Sequence, residues 1–311
     1  MTRAACRNRN ASACHAALIA AVIMAGCAGR DGRVLAVADK IQMPKTIRNL
    51  DDLRVPAASL SERDFSTTRL RRYSDKTIDR LYQSLGRVTF FLAEQHRYVG
   101  FQQNLLAEKI RRKTQTESDV ADMYAAYVGA RMFENAKDLR MQFPDIRFPD
   151  VPDVVVSSGV SKATRWRVYE VSERGNRAEL AALHLDHGVK IVLVMLTGCQ
   201  IAERAMTKVL ADKEFSGEFR ANGLLLTDRF DSVGVANWKS HFDFNNVYIV
   251  KAAGDFPGFD FLSSPQFYFL KDGEILYHFK GWGDGEGSPA PARFRRGLEA
   301  LHRRTPVSST P

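Results

Sequence analysis

The chain has 311 residues, 45% of them hydrophobic, and a formal charge of +9, so it is long and apolar enough to bury a real core and is expected to form a two-part globular protein. Three of its arginines, Arg3, Arg7 and Arg9, precede the first apolar run. Without residues 1–26, which contain no acids, the charge is +6, and the remaining basic residues alternate with acids rather than forming one block. That pattern argues against nucleic acid as the partner.

The first segment, "MTRAACRNRNASACHAALIAAVIMAGCAGRDG", places a basic leader before an apolar stretch from Ala16 to Gly26. Such a stretch is too short to span a bilayer as a helix and reads as an export signal over residues 1–26. Its end, "IMAGC" at Ile23 to Cys27, resembles the lipobox of bacterial lipoproteins. The resemblance implies cleavage before Cys27 and lipidation of that thiol. Acyl chains on one residue would hold the protein at a membrane, since each buried methylene contributes roughly 0.8 kcal/mol. An ordinary signal peptide or an uncleaved anchor is the alternative. Ala28 stands where the resemblance would put a retention aspartate, which favours the periplasmic side of the outer membrane over the inner membrane.

Of the four cysteines, Cys6 and Cys14 would leave with the signal and Cys27 would carry lipid, leaving Cys199 as the one thiol of the mature part. No internal disulfide is then expected, although an exported protein meets an oxidising compartment.

Residues 27–72 hold Pro44, Pro56, many charges and few periodic apolar positions, and read as a tether with at most a short ordered segment. From Ile78 the apolar residues recur at intervals of three and four, through Leu81, Tyr82, Leu85, Val88, Phe91 and Leu92, with Ser74 where a cap would sit. Further helices are expected over 98–112 and 118–141, giving a helical subdomain over 73–142. His96 lies among polar neighbours and reads as a surface residue. The proline-rich "FPDIRFPDVPDVVV" sets a linker over 143–154.

A second domain is expected over 155–304, with 305–311 as a disordered tail. "TRWRVYEV" reads as an edge strand and "RAELAALHL" as a short helix. "VKIVLVML", Val189 to Leu196, is a continuous apolar run of the kind a central strand covered on both faces requires. "GLLLTD" then reads as a strand, "DSVGVANWKSHF" as a helix and "NVYIVK" as a strand. "SPQFYFLKDGEILYHFKGW" reads as a hairpin turning at Lys271 to Gly273, and "PARFRRGLEALHRR" as a closing helix with Phe294, Leu298 and Leu301 on one face. The order gives an α/β fold.

Strand, "TGCQIA" and helix, followed by the Ser264-Pro265 step ahead of a hairpin, resemble the thioredoxin superfamily and within it the TlpA-like periplasmic thiol-disulfide proteins. The resemblance covers about 155 to 303 and implies a thioredoxin-like fold preceded by the helical subdomain. It places Cys199 on the first cysteine of the W-C-x-x-C motif and Pro265 on the cis-proline beside it. Ser264, Pro265, Gly198 and Thr197 become the residues against which a partner would bind. The chain departs from the motif in chemistry: Ala202 stands where the second cysteine belongs, Gly198 where the tryptophan does, and Leu193 where a buried acid or amide often sits. A dithiol cycle needs a second thiolate to attack the mixed disulfide. Cys199 would therefore need an external thiol to resolve it, although the start of the following helix favours its thiolate.

The expected function is thus single-cysteine redox chemistry on an envelope protein or a low-molecular-weight thiol, with no cofactor and no metal. A catalytically silent binding or scaffold module is the alternative. A peroxiredoxin would place threonine three residues before the cysteine, whereas Thr197 is two before; a copper chaperone would want two cysteines and a histidine. His184 and His187, flanking Asp186, read as a solvated helix end rather than a metal site. Phe256, Phe259 and Phe261 read as core closure, with a peptide groove as the alternative. Asp284 and Glu286, in "GWGDGEGSPAPA", read as a flexible turn.

Overall fold

A computed structural model describes residues 31–283, 285 and 287–303. The signal segment 1–26, Cys27, Asp284, Glu286 and the tail 305–311 lie outside the described residues. The chain divides into two compact units, residues 1–147 and 148–311.

The N-terminal unit is helical. Helix α1 covers 31–42 and is followed by α2 (Asp51–Ala58), a 3-10 turn (Glu62–Phe65), α3 (Thr67–Leu70), α4 (Asp75–Phe91), α5 (His96–Arg112), α6 (Glu117–Gly129) and α7 (Phe133–Gln142). Ser74 caps α4 as its spacing predicts, its hydroxyl accepting from the Thr77 N–H at 3.2 Å. The expected tether, by contrast, is folded from residue 31 onward. Val34, Ala38, Ile41, Leu53, Phe65, Leu70 and Tyr73 are all buried, so these charged segments present a narrow apolar stripe to the bundle. The helix expected over 118–141 is two helices. Arg131 has φ 60°, a left-handed conformation that ends α6 just past Gly129.

The C-terminal unit is built on one sheet of eight strands: β1 (Asp153–Val156), β2 (Arg167–Val171), β3 (Arg177–Ala182), β4 (Val189–Val194), β5 (Gly223–Thr227), β6 (Val247–Val250), β7 (Gln266–Lys271) and β8 (Glu274–Lys280), in the order β1-β3-β2-β6-β5-β4-β7-β8. The connecting helices are α8 (Gln200–Ala211), α9 (Ser216–Asn222), α10 (Ser232–Phe242) and α11 (Ala290–His302). Strands β4, β5 and β6 run parallel, while β7 pairs antiparallel with β4 and with β8. A parallel β4-α8-β5 unit stands beside an antiparallel β7-β8 pair and a final helix, the order that the sequence resemblance implies, and β4 lies in the interior of the sheet between β5 and β7. Ile191 to Met195 are at most 1% exposed, as a strand covered on both faces requires.

The two faces of β4 and β7 are filled differently. Phe267 and Phe269 of β7 meet Phe294 of α11, which also packs on Phe215 and Phe219 around α9. The other face carries Val192, Val194, Leu224, Leu226, Tyr268 and Leu270 under Phe256 and Phe261, with Phe259 packed at the margin. The three phenylalanines therefore close the core. The β7-β8 hairpin turns through Asp272 (φ 49°) and Gly273 (φ 81°), the two left-handed positions that Asp-Gly accommodates.

Three local expectations are corrected. "RAELAALHL" contains β3, not a helix: its alanines, glutamate and leucine favour helix in isolation, but Arg177–Ala182 lies between β1 and β2 and pairs with both. The ladder outweighs a propensity difference of about 0.5 kcal/mol per residue. In consequence β2 is an interior strand, bonded to β3 and β6, and the sheet's edges are β1 and β8. His184 and His187 are exposed on the loop between β3 and β4 rather than at a helix end.

Candidate functional site

An interior strand, β4, leads to one partly exposed thiol. Strand β4 ends at Val194, and Leu196, Thr197 and Gly198 form a turn closed by the Cys199 N–H donating to the Leu196 carbonyl at 3.0 Å. Cys199 is the N-cap of α8, with extended backbone (φ −85°, ψ 104°), and its thiol is free and partly exposed. No side chain caps the first turn of α8. The Sγ lies 3.7 Å from the carbonyl oxygen of Ser264.

Ser264 is held from two sides. Its hydroxyl accepts from the Leu196 N–H at 3.0 Å, and the Ser264-Pro265 peptide bond is cis. The Pro265 carbonyl accepts from the Gly281 N–H at 2.8 Å. Thus Thr197, Gly198, Cys199, Ser264 and Pro265, distant in sequence, meet at one place. Gly198 is exposed, and a Cβ added there would meet nothing within 4 Å, so no neighbouring group packs over the turn at this residue. Ala202, three residues on, is fully buried on the inner side of α8, and Leu193 is fully buried in β4.

Three supporting residues were not identified from the sequence. Asp231 accepts from the Thr197 hydroxyl at 2.6 Å and from the Gly234 N–H at 2.8 Å, so it caps α10 and ties that helix to the cysteine turn. Trp238, one turn further along α10, donates its Nε1–H to the Thr197 carbonyl at 2.8 Å. An aspartate directly before "SVGVANW" is a helix-start signal, which could have marked Asp231. Gln266, fully buried behind Pro265, donates its amide to the Ser263 carbonyl at 3.1 Å, and accepts at 3.0 Å from the Tyr268 hydroxyl. Tyr268 in turn accepts from the Asp260 N–H at 2.9 Å. A glutamine opening the otherwise apolar "QFYFL" was the available signal.

This network fixes the 260–264 loop that carries the Ser264 carbonyl. Asp260 anchors it to β8 through Lys280 at 2.6 Å. Burial pushes the Asp260 carboxyl up, but the Lys280 ammonium and the Leu262 N–H outweigh that and hold it below the ordinary aspartate value. Burial raises the Tyr268 phenol, keeping it a neutral donor.

Among the described residues no three His, Cys, Asp or Glu side chains come together as a metal site, and no helix is long and apolar enough to cross a membrane. What the site can do chemically is present one partly exposed sulfur at the start of α8, beside the Ser264 carbonyl.

No protein-family model matches the chain, and no curated protein does. Among solved structures, a thioredoxin-like protein from Bacteroides caccae is similar at 11% identity over 76% of this chain and 80% of that one, with a TM-score of 0.29.

Proposed function

We propose that the protein is an exported lipoprotein, anchored through Cys27, whose TlpA-like unit carries out thiol-disulfide exchange through Cys199 alone. The observation that carries this reading is the pairing of a partly exposed Cys199, 3.7 Å from the Ser264 carbonyl, with a buried Ala202 where a resolving thiol would stand. The Cys199 thiolate attacks one sulfur of a partner disulfide; a new S–S bond forms to Cys199 and the other partner sulfur leaves as a thiolate. A second, external thiolate then attacks the mixed disulfide, restoring the Cys199 thiolate and carrying the partner's sulfur away as a new disulfide. Electrons pass from the external thiol to the partner, with Cys199 as carrier. Ser264, Pro265, Gly198 and Thr197 border the sulfur and would receive the partner's chain. The substrate is an envelope protein or a low-molecular-weight thiol in its oxidised form, and the periplasmic side of the outer membrane is the place that Ala28 favours.

The test uses the chain from residue 28, which retains Cys199 as its one cysteine. Incubation with glutathione disulfide should add one glutathione per chain, released by added thiol and absent from Cys199→Ser. Labelling that requires denaturant would instead mean a sealed sulfur, and a binding or scaffold role would replace the redox reading.

A further inference from the structure

We propose that one end of the helical unit docks on anionic lipid headgroups at the point where the chain leaves its anchor; this part of the reading rests on the lipid anchor at Cys27 proposed above. Four cations, Arg71, Arg72, Lys76 and Lys113, are exposed at that end and make no ion pair among the described residues. They are brought together by Arg112 at the end of α5. Its guanidinium donates to the Leu70 carbonyl at 2.7 Å, to the Tyr73 carbonyl at 2.9 Å and to Asp75 at 2.7 Å, so the α5 terminus and the 70–76 segment share one surface.

The acids nearby are mostly answered. Asp64 is buried and paired with Arg33, Glu108 is buried and paired with Arg111 and Arg112, and Asp75 is paired with Arg112. Asp79 and Asp119 share the one ammonium of Lys109, so one carboxylate of that cluster, with Asp31 and Glu117, stands against the four cations. The balance at this end is still positive, although the sequence around it reads as mixed.

The chain reaches the helical unit at this same end. Asp31, the first residue of α1 described, acts electrostatically on Arg69 and Tyr73, so α1 begins beside the 69–73 segment. Four Cα steps separate Asp31 from Cys27, and fully extended they span roughly 14 Å. An anionic bilayer's surface potential decays over about 8–10 Å at physiological ionic strength. A lipid on Cys27 would keep Asp31 no more than roughly 14 Å from the anchor, a tether short enough for this end to meet the bilayer, and charge complementarity fits the four cations to phosphate headgroups.

The experiment takes the unlipidated chain from residue 28 and sediments it with vesicles of phosphatidylcholine containing phosphatidylglycerol, and with vesicles of phosphatidylcholine alone. Binding is expected to the anionic vesicles only, to fall steeply with added salt, and to weaken at least tenfold in Arg71→Glu/Arg72→Glu/Lys76→Glu/Lys113→Glu. Circular dichroism and a thermal melt confirm that the exposed substitutions leave the fold intact, and Lys113→Glu alone gives a milder second variant. Equal binding to both vesicles, undiminished binding of the variants, or retention on duplex DNA without vesicle binding would overturn the proposal. The mass of full-length protein extracted from membranes reads the Cys27 anchor separately: vesicle binding with an unmodified Cys27 would sink the anchor and support the lipid surface.

Discussion

The Thr197 hydroxyl donates to the Asp231 carboxylate at 2.6 Å, joining the turn that presents the thiol to the N-cap of a helix 34 positions away. The same carboxylate caps α10 through the Gly234 N–H. Asp231→Ala removes both bonds and is expected to lower the unfolding free energy by about 1–3 kcal/mol. Well below its melting temperature, the variant should also react at Cys199 at an altered rate, with Asp231→Asn moving that rate back toward the parent. Rates that track stability alone would make Asp231 a cap and nothing more.

Gly234 owes its place to the same contact. A Cβ there would stand 2.9 Å from the Thr197 Cβ and closer still to the Asp231 carboxylate. Gly234→Ala therefore trades a helix-propensity gain of about 1 kcal/mol for a clash worth typically 1–3 kcal/mol, and net destabilisation is expected. A urea midpoint at or above the parent's would show that the turn yields.

Restoring a second thiol tests the chemistry most directly. Residues three apart at a helix N-terminus lie within disulfide reach, so Ala202→Cys should form an internal bond with Cys199 on oxidation. Its glutathione adduct should then be lost without added thiol, whereas the parent's persists. Leu193 supplies no buried proton acceptor, so release in the variant should still be slow. Persistence of the adduct in Ala202→Cys would mean that the α8 geometry, and not just the missing sulfur, blocks resolution.

The parts legible in the sequence were those whose local chemistry and tertiary setting agree. The apolar run of β4, the Asp272-Gly273 turn and the Ser74 cap each state their conformation within a few residues. The segment Arg177–Ala182 does not, because its helix-forming side chains are overruled by backbone pairing with strands on either side. Residues 31–72 were hidden for a different reason: a stripe such as Val34, Ala38 and Ile41 is narrow, and its partners lie far along the chain. Of the site, the residues at the sulfur were visible through the cysteine and the proline. Asp231, Trp238 and Gln266 were not, since each acts through a hydrogen bond to a backbone or hydroxyl that only the fold brings near.

Close packing also sets the limit on α11. Gly297 sits over the ring of Phe269 in β7, and a Cβ at that position would penetrate the ring. Gly297→Ala is expected to cost about 1–3 kcal/mol despite the better helix former, because Phe269 is fully buried and packed against other rings. The comparison that decides it is the urea midpoint of the variant against Phe269→Leu/Gly297→Ala, in which the smaller side chain should recover part of the loss.

The helical unit should carry an acid-dependent share of its stability through Glu108. The Arg111 guanidinium, and Arg112 beside it, hold this carboxyl down from 4.5 to about 2 against the opposing effect of burial. Because the folded-state value is the lower one, the unfolded chain takes up the proton first as the pH falls. The contribution is therefore fully present above about pH 4.5 and is lost progressively as the pH drops toward 2. Asp64 and Asp260 are also depressed and slope the same way, so the parent's acid sensitivity alone does not isolate Glu108. Glu108→Gln does. The gap in urea midpoint between parent and variant should be widest at neutral pH and narrow steadily below 4.5. A gap that stays constant across that range would mean that Glu108 stabilises through packing and neutral hydrogen bonds, with its charge contributing nothing.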